Sequence, residues 1–570
     1  MQCTPFFFTT GMIMSKKSEQ SDSLPEVTLT GFGRDERAGK TYRRYKVIDF
    51  KGVPRAILYA VEKGKDRASE LMWRLEHQGR CKLPLASAAI NRLINKIDAQ
   101  NSTQEFVVTS QVGWVGDTVD ATAAFCTPIR TYADSSQDIE TDFQDVAVTH
   151  NFKVSGTLKQ WQQHVAAFAH GNPLLMFVIT VALASPLLKL LGVENGGFQL
   201  VGKSSTGKSS HLKAAFSIWG NVNEQGMDNW LMTENATDNK ALTYCDTLLV
   251  LDEAGLAPGA IQQLLNTAYR LSSGTIKAKQ TDTTRLRTYR LLFVSSAEHG
   301  LAKMAQDAGV QWNDGQLIRM IDIDANGGKN WGTFRNIHSA TSPGEFADWV
   351  NSAATTYYGT AGDAFLEKLL RQVRENPEKL RAWLEKRRAY YRKHAPDVGL
   401  QSFHERVCKR FELVYAAGML AIRYGVLPYS KKEMLEAVQY AHRKGMFEAL
   451  AATSTPRPSA VQHVKAFIQN NKASFVVTGR MDKYEPAVLA RAKAYWSKSD
   501  GGETFLFMPK FFKQEVCSGH SYHGILADLR REGFLHVYDG QGNTVTRKLP
   551  GHRMKKHVIC IPARILNAAA

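Results

Sequence analysis

The chain has 570 residues, of which 44 % are hydrophobic and 22 % charged; at roughly 100–200 residues per domain this length holds about three to five folding units. That balance excludes a globally disordered chain and a collagen-like fibre. The formal charge of +18, from 72 Lys+Arg against 54 Asp+Glu, points to a polyanionic partner, nucleic acid ahead of an acidic membrane surface.

Residues 1–25 contain a short apolar patch without a basic segment before it, a poor secretory signal, and are expected to be a disordered extension, with Met14-Ser-Lys-Lys a plausible true start. Seven cysteines at positions 3, 81, 126, 245, 408, 517 and 560 form no CxxC pair. Their odd number and spacing argue for a reducing cytoplasm and against a disulfide framework or zinc ribbon. Residues 26–150 read as an α+β domain. Tyr45–Phe50 and Arg55–Tyr59 alternate as strands around a turn at Lys51-Gly-Val-Pro, helices are expected over 68–77 and 85–99, and strands follow at 105–109 and 113–115.

Residues 151–335 form the next unit. Thr157 is an N-cap for a helix over 158–169. The apolar run Leu174–Leu191 contains Pro186 and Lys189, so it reads as a buried core helix broken near Pro186, not as a membrane span. Strand and helix then alternate over 196–325, the pattern of a parallel sheet with crossover helices. Residues 336–454 read as helical. Asp363–Lys393 holds ten Lys/Arg and five Asp/Glu, which a solvated helix face explains as well as a DNA contact does. Thr455-Pro-Arg-Pro-Ser459 marks a linker. Residues 455–570 carry 18 Lys/Arg against 8 Asp/Glu, more than half of the excess charge.

The most specific motif is Gly202-Lys203-Ser204-Ser205-Thr206-Gly207-Lys208-Ser209, a complete GxxxxGK[ST] match between an apolar strand (Gly197–Val201) and a helical stretch starting at Ser210. Such a loop turns backbone N–H groups toward phosphates, and the helix behind it adds a favourable dipole. Lys208 is placed to reach the β/γ-phosphates and Ser209 to ligate Mg²⁺, with Ser210 closing the ATP-binding set. Thr247-Leu-Leu-Val-Leu-Asp252-Glu253 reads as the acidic partner strand. Asp252 would hold Mg²⁺ through water, and Glu253 would polarise the attacking water.

Together these motifs resemble those of P-loop AAA+ ATPases, and further roles follow from that resemblance. The strand Arg290–Ser296 would present a sensor hydroxyl, Ser296 ahead of Ser295. Arg319, in Gly315-Gln-Leu-Ile-Arg319, stands where many such proteins carry an arginine finger that acts on the ATP of a neighbouring subunit. The basic hairpin around Lys277 and Lys279 would track a nucleic-acid backbone. Arg287 and Arg290 could instead serve the ATP site. At the C-terminus, helices over 508–516 and 522–532 and strands at 533–538 and 558–561 read as a winged helix. Its second helix and its wing, with Arg547, Lys548, Arg553, Lys555 and Lys556, would bind duplex or forked DNA mainly through phosphates.

The run Gly196–Ser209 with Asp252-Glu253 and Gly315–Arg319 resembles domain-of-unknown-function family 927, found on bacterial mobile elements and phages. That family includes the staphylococcal cassette-chromosome helicases, which look like relatives of MCM replicative helicases. The resemblance runs from about residue 30 to the end. It implies a hexameric AAA+ ring, ATP-dependent DNA unwinding with single-stranded and forked DNA as the polynucleotide partner, and replication of a mobile element, with an initiator or primase as a further partner. It also implies a sensor 2 arginine in Ser402–Ala421, Arg406 ahead of Arg410; Met419 stands where the family has an acid. The other classes consistent with the residues are an AAA+ loader or remodeller of a replication partner and an ATP-switched DNA-binding or defence regulator. The resulting expectation is an α/β P-loop core with helices on both faces of a parallel sheet, an N-terminal α+β domain, a helical lid and a C-terminal winged helix.

Overall fold

A computed structural model describes residues 24–61, 67–143, 151–221, 227–230, 232–252, 261–276, 288–308, 319–396, 401–454, 460–499, 502–517, 522–537 and 542–567. They divide into two compact units. The first is built from 24–61, 67–110 and 133–143. Residues 111–132, which the sequence groups with the N-terminal part, belong to the second.

In the first unit, strands β1 (Val27–Asp35), β2 (Lys40–Ile48) and β3 (Pro54–Val61) form an antiparallel meander. Helices α1 (Arg67–His77) and α2 (Ser87–Asp98) follow. Strands β4 (Glu105–Thr109) and β5 (Ile139–Thr141) then join in parallel, giving the order β3-β2-β1-β4-β5. Strand alternation sets the packing: Val27, Leu29, Tyr45, Val47, Ile57 and Tyr59 turn to one face and meet Leu71, Leu75, Leu93 and Ile97 of the helices. The expected turn at Lys51–Pro54 joins β2 to β3.

The second unit opens with α3 (Leu158–His164). Its cap is reciprocal: the Thr157 hydroxyl accepts the Gln160 N–H at 3.2 Å, and the Gln160 side chain accepts the Thr157 N–H at 2.9 Å. The α-helix stops at His164 and continues as a 3₁₀ turn, Ala166–Ala169, so it is shorter than the sequence predicts. In α4 (Pro173–Ala184) every residue from Leu174 onward is buried. A helix that is apolar all round must be wrapped by protein or lipid; here protein wraps it. Among the described residues no helix is long and apolar enough to cross a membrane.

Five parallel strands form the central sheet: β6 (Gly196–Val201), β7 (Asp228–Asn229), β8 (Leu248–Asp252), β9 (Leu292–Ala297) and β10 (Met320–Asp324). Their order is β7-β8-β9-β6-β10. Helices α5 (Lys208–Phe216), α6 (Glu234–Thr243) and α7 (Ile261–Ser273) alternate with them. Every residue of β6 and β9 is buried, as in strands covered on both faces.

Five helices follow: α8 (Pro343–Thr356), α9 (Thr360–Glu375), α10 (Pro377–His394), α11 (Gln401–Arg423) and α12 (Lys431–Ser454). The last two close over the sheet and α4. Phe411 packs on Phe177 and Phe198, with centroids 5.5 and 5.3 Å apart, and stacks on His442 at 4.2 Å. Sheet and helices therefore share one hydrophobic core.

Residues 460–567 have cores of their own. Helix α13 (Ala460–Asn471) precedes a sheet of β11 (Val476–Val477), β12 (Ala494–Ser499), β13 (Gly502–Phe507), β14 (Val545–Arg547) and β15 (Lys556–Pro562), ordered β11-β12-β13-β15-β14. The helix predicted over 508–516 is a single α-turn, Pro509–Phe511, that widens into a π-turn, Phe512–Val516. Helix α14 spans Tyr522–Arg531. The strand predicted at 533–538 reduces, among its described residues, to one bridge between His536 and Cys560. Phe534 and Val537 pack on the helical core, and β14 takes the place beside β15.

Candidate nucleotide site and nucleic-acid surfaces

Parallel register brings four strand ends level. Ser296 pairs with Leu200, Leu251 with Ser295, and Asp324 with Val201. The carboxyl edge of an open parallel sheet is where such folds bind ligands. The loop 202–207 leaves this edge between β6 and α5. The Gly202 N–H donates to the Ala297 carbonyl at 3.1 Å. Gly207 has φ 98°, and a Cβ there would stand 2.7 Å from the Phe334 ring, so the position needs glycine twice over. Lys203, Ser204 and Ser205 form an exposed lip, whereas Lys208 and Ser210 are buried. The Lys208 ammonium lies under the loop and donates to the carbonyls of Gly202 (2.7 Å) and Lys203 (2.6 Å).

Three residues from three chain segments meet beside it. The Ser209 hydroxyl lies 3.3 Å from Asp252 Oδ1, and the Ser296 hydroxyl donates to the same oxygen at 2.5 Å. Ser295 faces the opposite side of the strand, where it is buried and accepts the Trp230 indole N–H at 2.8 Å. Strand alternation thus gives the two serines different work. Glu253 lies outside the described residues.

The loop is also held from outside, by residues that no local motif announces. Thr333 donates both its N–H and its hydroxyl to the Thr206 carbonyl, each at 3.0 Å. Gly332, at φ 64°, brings its backbone so close that a Cβ would stand 2.4 Å from that carbonyl oxygen. His211 sits one turn into α5 with its Nδ1 3.0 Å from the Gly207 carbonyl and its ring stacked on Phe334 at 5.2 Å. Complete burial pushes the His211 pKa down to about 4, so the ring is neutral at pH 7. A carbonyl only accepts, which assigns the proton to Nδ1. The visible signal for this clamp was the glycine-rich turn Gly327-Gly-Lys-Asn-Trp-Gly332 after β10.

The arginines lie elsewhere. Arg319 precedes β10, at the amino edge of the sheet, with its guanidinium 4.3 Å from the Tyr269 ring centroid. A five-residue strand at about 3.3 Å per residue separates it by roughly 16 Å from the edge that carries its own loop. The expectation that Arg290 serves the ATP site is corrected. It pairs with buried Asp246 (2.9 and 3.2 Å) at the amino ends of β8 and β9, and Asp246 also accepts the Trp114 N–H. Arg410 is likewise a core residue. It is buried over Phe198 and donates to the Asn195 carbonyl at 3.3 Å, where a Cβ on Gly196 would collide with it. Arg406 belongs to α11, with its side chain outside the described set. Lys277, Lys279 and Arg287, and the hairpin expected of them, also fall outside it; on either side of them Thr275 and Thr288 form an antiparallel bridge.

In the C-terminal part, β14 and β15 form the basic hairpin. Arg547 registers with Lys556. Arg547, Lys548, Arg553 and Lys555 are exposed, Lys556 is half-buried, and Met554 is 75 % exposed among them.

Residues 65–290 match the family model named domain of unknown function (DUF927), a stretch that includes the 202–209 loop and Asp252. No curated protein sequence matches the chain. Among solved structures, that of SCCmec type IV Cch, described as an active helicase, is similar with TM-score 0.58 at 16 % identity, over 96 % of this chain and 95 % of the other. The apo A form of the NrS-1 C-terminal region aligns with TM-score 0.27 at 11 % identity, over 93 % and 95 %. The chain thus carries a DUF927 segment over residues 65–290, within a mixed α/β fold similar along nearly its whole length to that of the SCCmec cassette protein.

Proposed function

We propose that this protein is an ATP-dependent DNA helicase that works as an AAA+ ring, hexameric by resemblance, in replication of a mobile element or phage. The observation that carries the reading is the meeting of Lys208, Ser209, Asp252 and Ser296 at one sheet edge while Arg319 stands at the other.

In this reading the 202–207 amides and Lys208 bind the triphosphate. Ser209 and Asp252 offer two oxygens on one side of the loop, a hard donor pair that fits Mg²⁺, which neutralises phosphate charge when bound. Ser296 orients the Asp252 carboxylate through its hydroxyl. Glu253, next along the chain, polarises the attacking water. Arg319 is too far from its own loop to touch the same nucleotide, so its reading as a finger requires a neighbouring copy. The hairpin based on Thr275 and Thr288 contacts the strand being moved, and the winged-helix-like C-terminal part holds duplex or fork through Arg547, Lys548, Lys555 and Lys556.

The test is ATP hydrolysis and displacement of a forked duplex by the full chain. Hydrolysis should rise with single-stranded DNA, and both activities should vanish in Lys208→Ala and Glu253→Gln. Intact hydrolysis without strand displacement under ring-forming conditions overturns the helicase reading in favour of a loader or remodeller. Very slow turnover at saturating DNA leaves an ATP-switched regulator.

A further inference from the structure

The β2–β3 turn of the first unit carries an aromatic ring into solvent on a rigid support. Phe50 is 65 % exposed and Val53 48 %, on either side of Gly52 at φ 80°. The turn between them has little slack. Asp49, itself buried, accepts the N–H groups of Lys51 and Val53 at 2.9 Å each and the Arg55 Nε–H at 2.8 Å. The Phe50 N–H donates to the Arg80 carbonyl at 3.1 Å. Arg80 adopts φ 49°, a left-handed conformation that non-glycine residues seldom take.

The surroundings of the ring are cationic. The Lys51 ammonium lies 5.7 Å from the Phe50 centroid, and Arg80 and Lys82 are exposed close by in the chain. The one carboxylate in the turn, Asp49, is turned inward onto its three donors. Residues 24–110 as a whole hold 16 Lys/Arg against 10 Asp/Glu. Protein-binding patches are depleted in lysine at their centres. An aromatic ring rimmed by cations suits a polyanion that offers flat apolar faces. Single-stranded nucleic acid has such faces; a duplex keeps its bases stacked and shows only their edges.

We propose that the β2–β3 turn is a single-strand nucleic-acid contact, in which Phe50 stacks on one base while Lys51 and Arg80 hold the adjoining phosphates. This contact makes no use of the nucleotide site and forms without ATP.

The experiment uses the full chain, without nucleotide, and an oligothymidylate carrying 5-iododeoxyuridine. Irradiation and peptide mapping should place a crosslink on the peptide containing Phe50. Phe50→Ala should lose that crosslink and weaken oligonucleotide binding about fivefold or more, the loss of one base–aromatic stack. Phe50→Tyr should keep both, and Lys51→Gln should lower the salt dependence. Both Phe50 variants alter a solvent-facing ring, so folding is not at issue. Crosslinks confined to other parts of the chain, or an unchanged affinity in Phe50→Ala, overturn the proposal and assign the turn to a protein partner. Loss of ATP hydrolysis with the Phe50 crosslink intact would sink the motor reading and leave this one standing.

Discussion

The carbonyl of Thr206 accepts two hydrogen bonds from Thr333, one from its N–H and one from its hydroxyl. A trans peptide points its C=O and N–H in opposite directions. Pinning the Thr206 carbonyl outward therefore aims the Gly207 N–H the other way, toward the interior of the loop. Thr333→Val keeps the shape and the backbone bond but removes the hydroxyl. One such hydrogen bond is worth about 0.5–1.5 kcal/mol. The expected outcome is a KM for ATP raised about two- to tenfold with kcat little changed, and recovery in Thr333→Ser, read by steady-state hydrolysis.

Ser296 works on the same site through a carboxylate. Its hydroxyl donates to the Asp252 oxygen that also faces Ser209. Hydrogen bonds to charged groups are worth about 1.5–3 kcal/mol. Ser296→Ala should therefore slow hydrolysis by about 10- to 100-fold while ATP binding, followed by a fluorescent analogue, persists. Ser295→Ala should act on stability instead, since it strips the Trp230 indole of its acceptor.

His211 makes the unit that carries the 202–207 loop acid-sensitive. Its pKa is about 4 when folded and near 6.5 when unfolded. Between those values the unfolded chain binds the extra proton, so stability falls as pH drops from about 6.5 and the loss levels off below about 4. Thermal unfolding followed across that range should show the decline. In His211→Phe, which keeps the stack on Phe334, the decline should be shallower.

Arg319 and Lys208 stand at opposite edges of one sheet, so a trans-acting finger predicts complementation. Arg319→Ala alone should lose hydrolysis by about 10³-fold or more, the range for arginine fingers, and Lys208→Ala alone should be inactive. Mixed in one assembly, the intact pocket of the first variant faces the intact arginine of the second. Hydrolysis should then partly return. A mixture no more active than its parts would overturn the trans assignment.

The exposed hairpin cations should bind phosphates without reading sequence. Replacing Arg547, Lys548 and Lys555 by alanine should lower the slope of log K against log salt by roughly 2–3 for forked DNA, at roughly 0.9 per phosphate contact. The loss should be uniform across DNA sequences in a fluorescence titration.

The nucleotide loop was legible because its chemistry is written in adjacent residues. Glycine spacing, a flanking apolar strand and a following helix all lie within 196–216. Ser296 was chosen from the resemblance at the strand's end, and only the strand's packing separates it from Ser295, which turns to Trp230. Arg290 and Arg410 misled because charge in a sequence carries no address. One is neutralised by Asp246 and the other lies over Phe198, each through contacts between distant segments. The glycine-rich 327–332 turn was visible, but not that Thr333 behind it would hold the Thr206 carbonyl. A carbonyl's orientation depends on which remote backbone lies against it, and the 327–332 turn reaches the loop only after β10 has joined β6. In the C-terminal part the strand expected over 533–538 fails because Phe534, Leu535 and Val537 all turn toward a helical core instead of alternating between two faces.

Helix α4 sets the smallest piece of this protein that can be cut out and kept in solution. Its buried surface is closed in part by α11 and α12, through Phe411 against Phe177 and a contact from the Thr180 hydroxyl to the Met434 sulfur. A fragment ended after β10, where the strand–helix alternation stops, would leave that greasy cylinder bare and prone to clump. Any excised fragment that keeps the central sheet has to extend through residue 454, so the helices that follow the sheet serve as its lining before they serve as anything that moves.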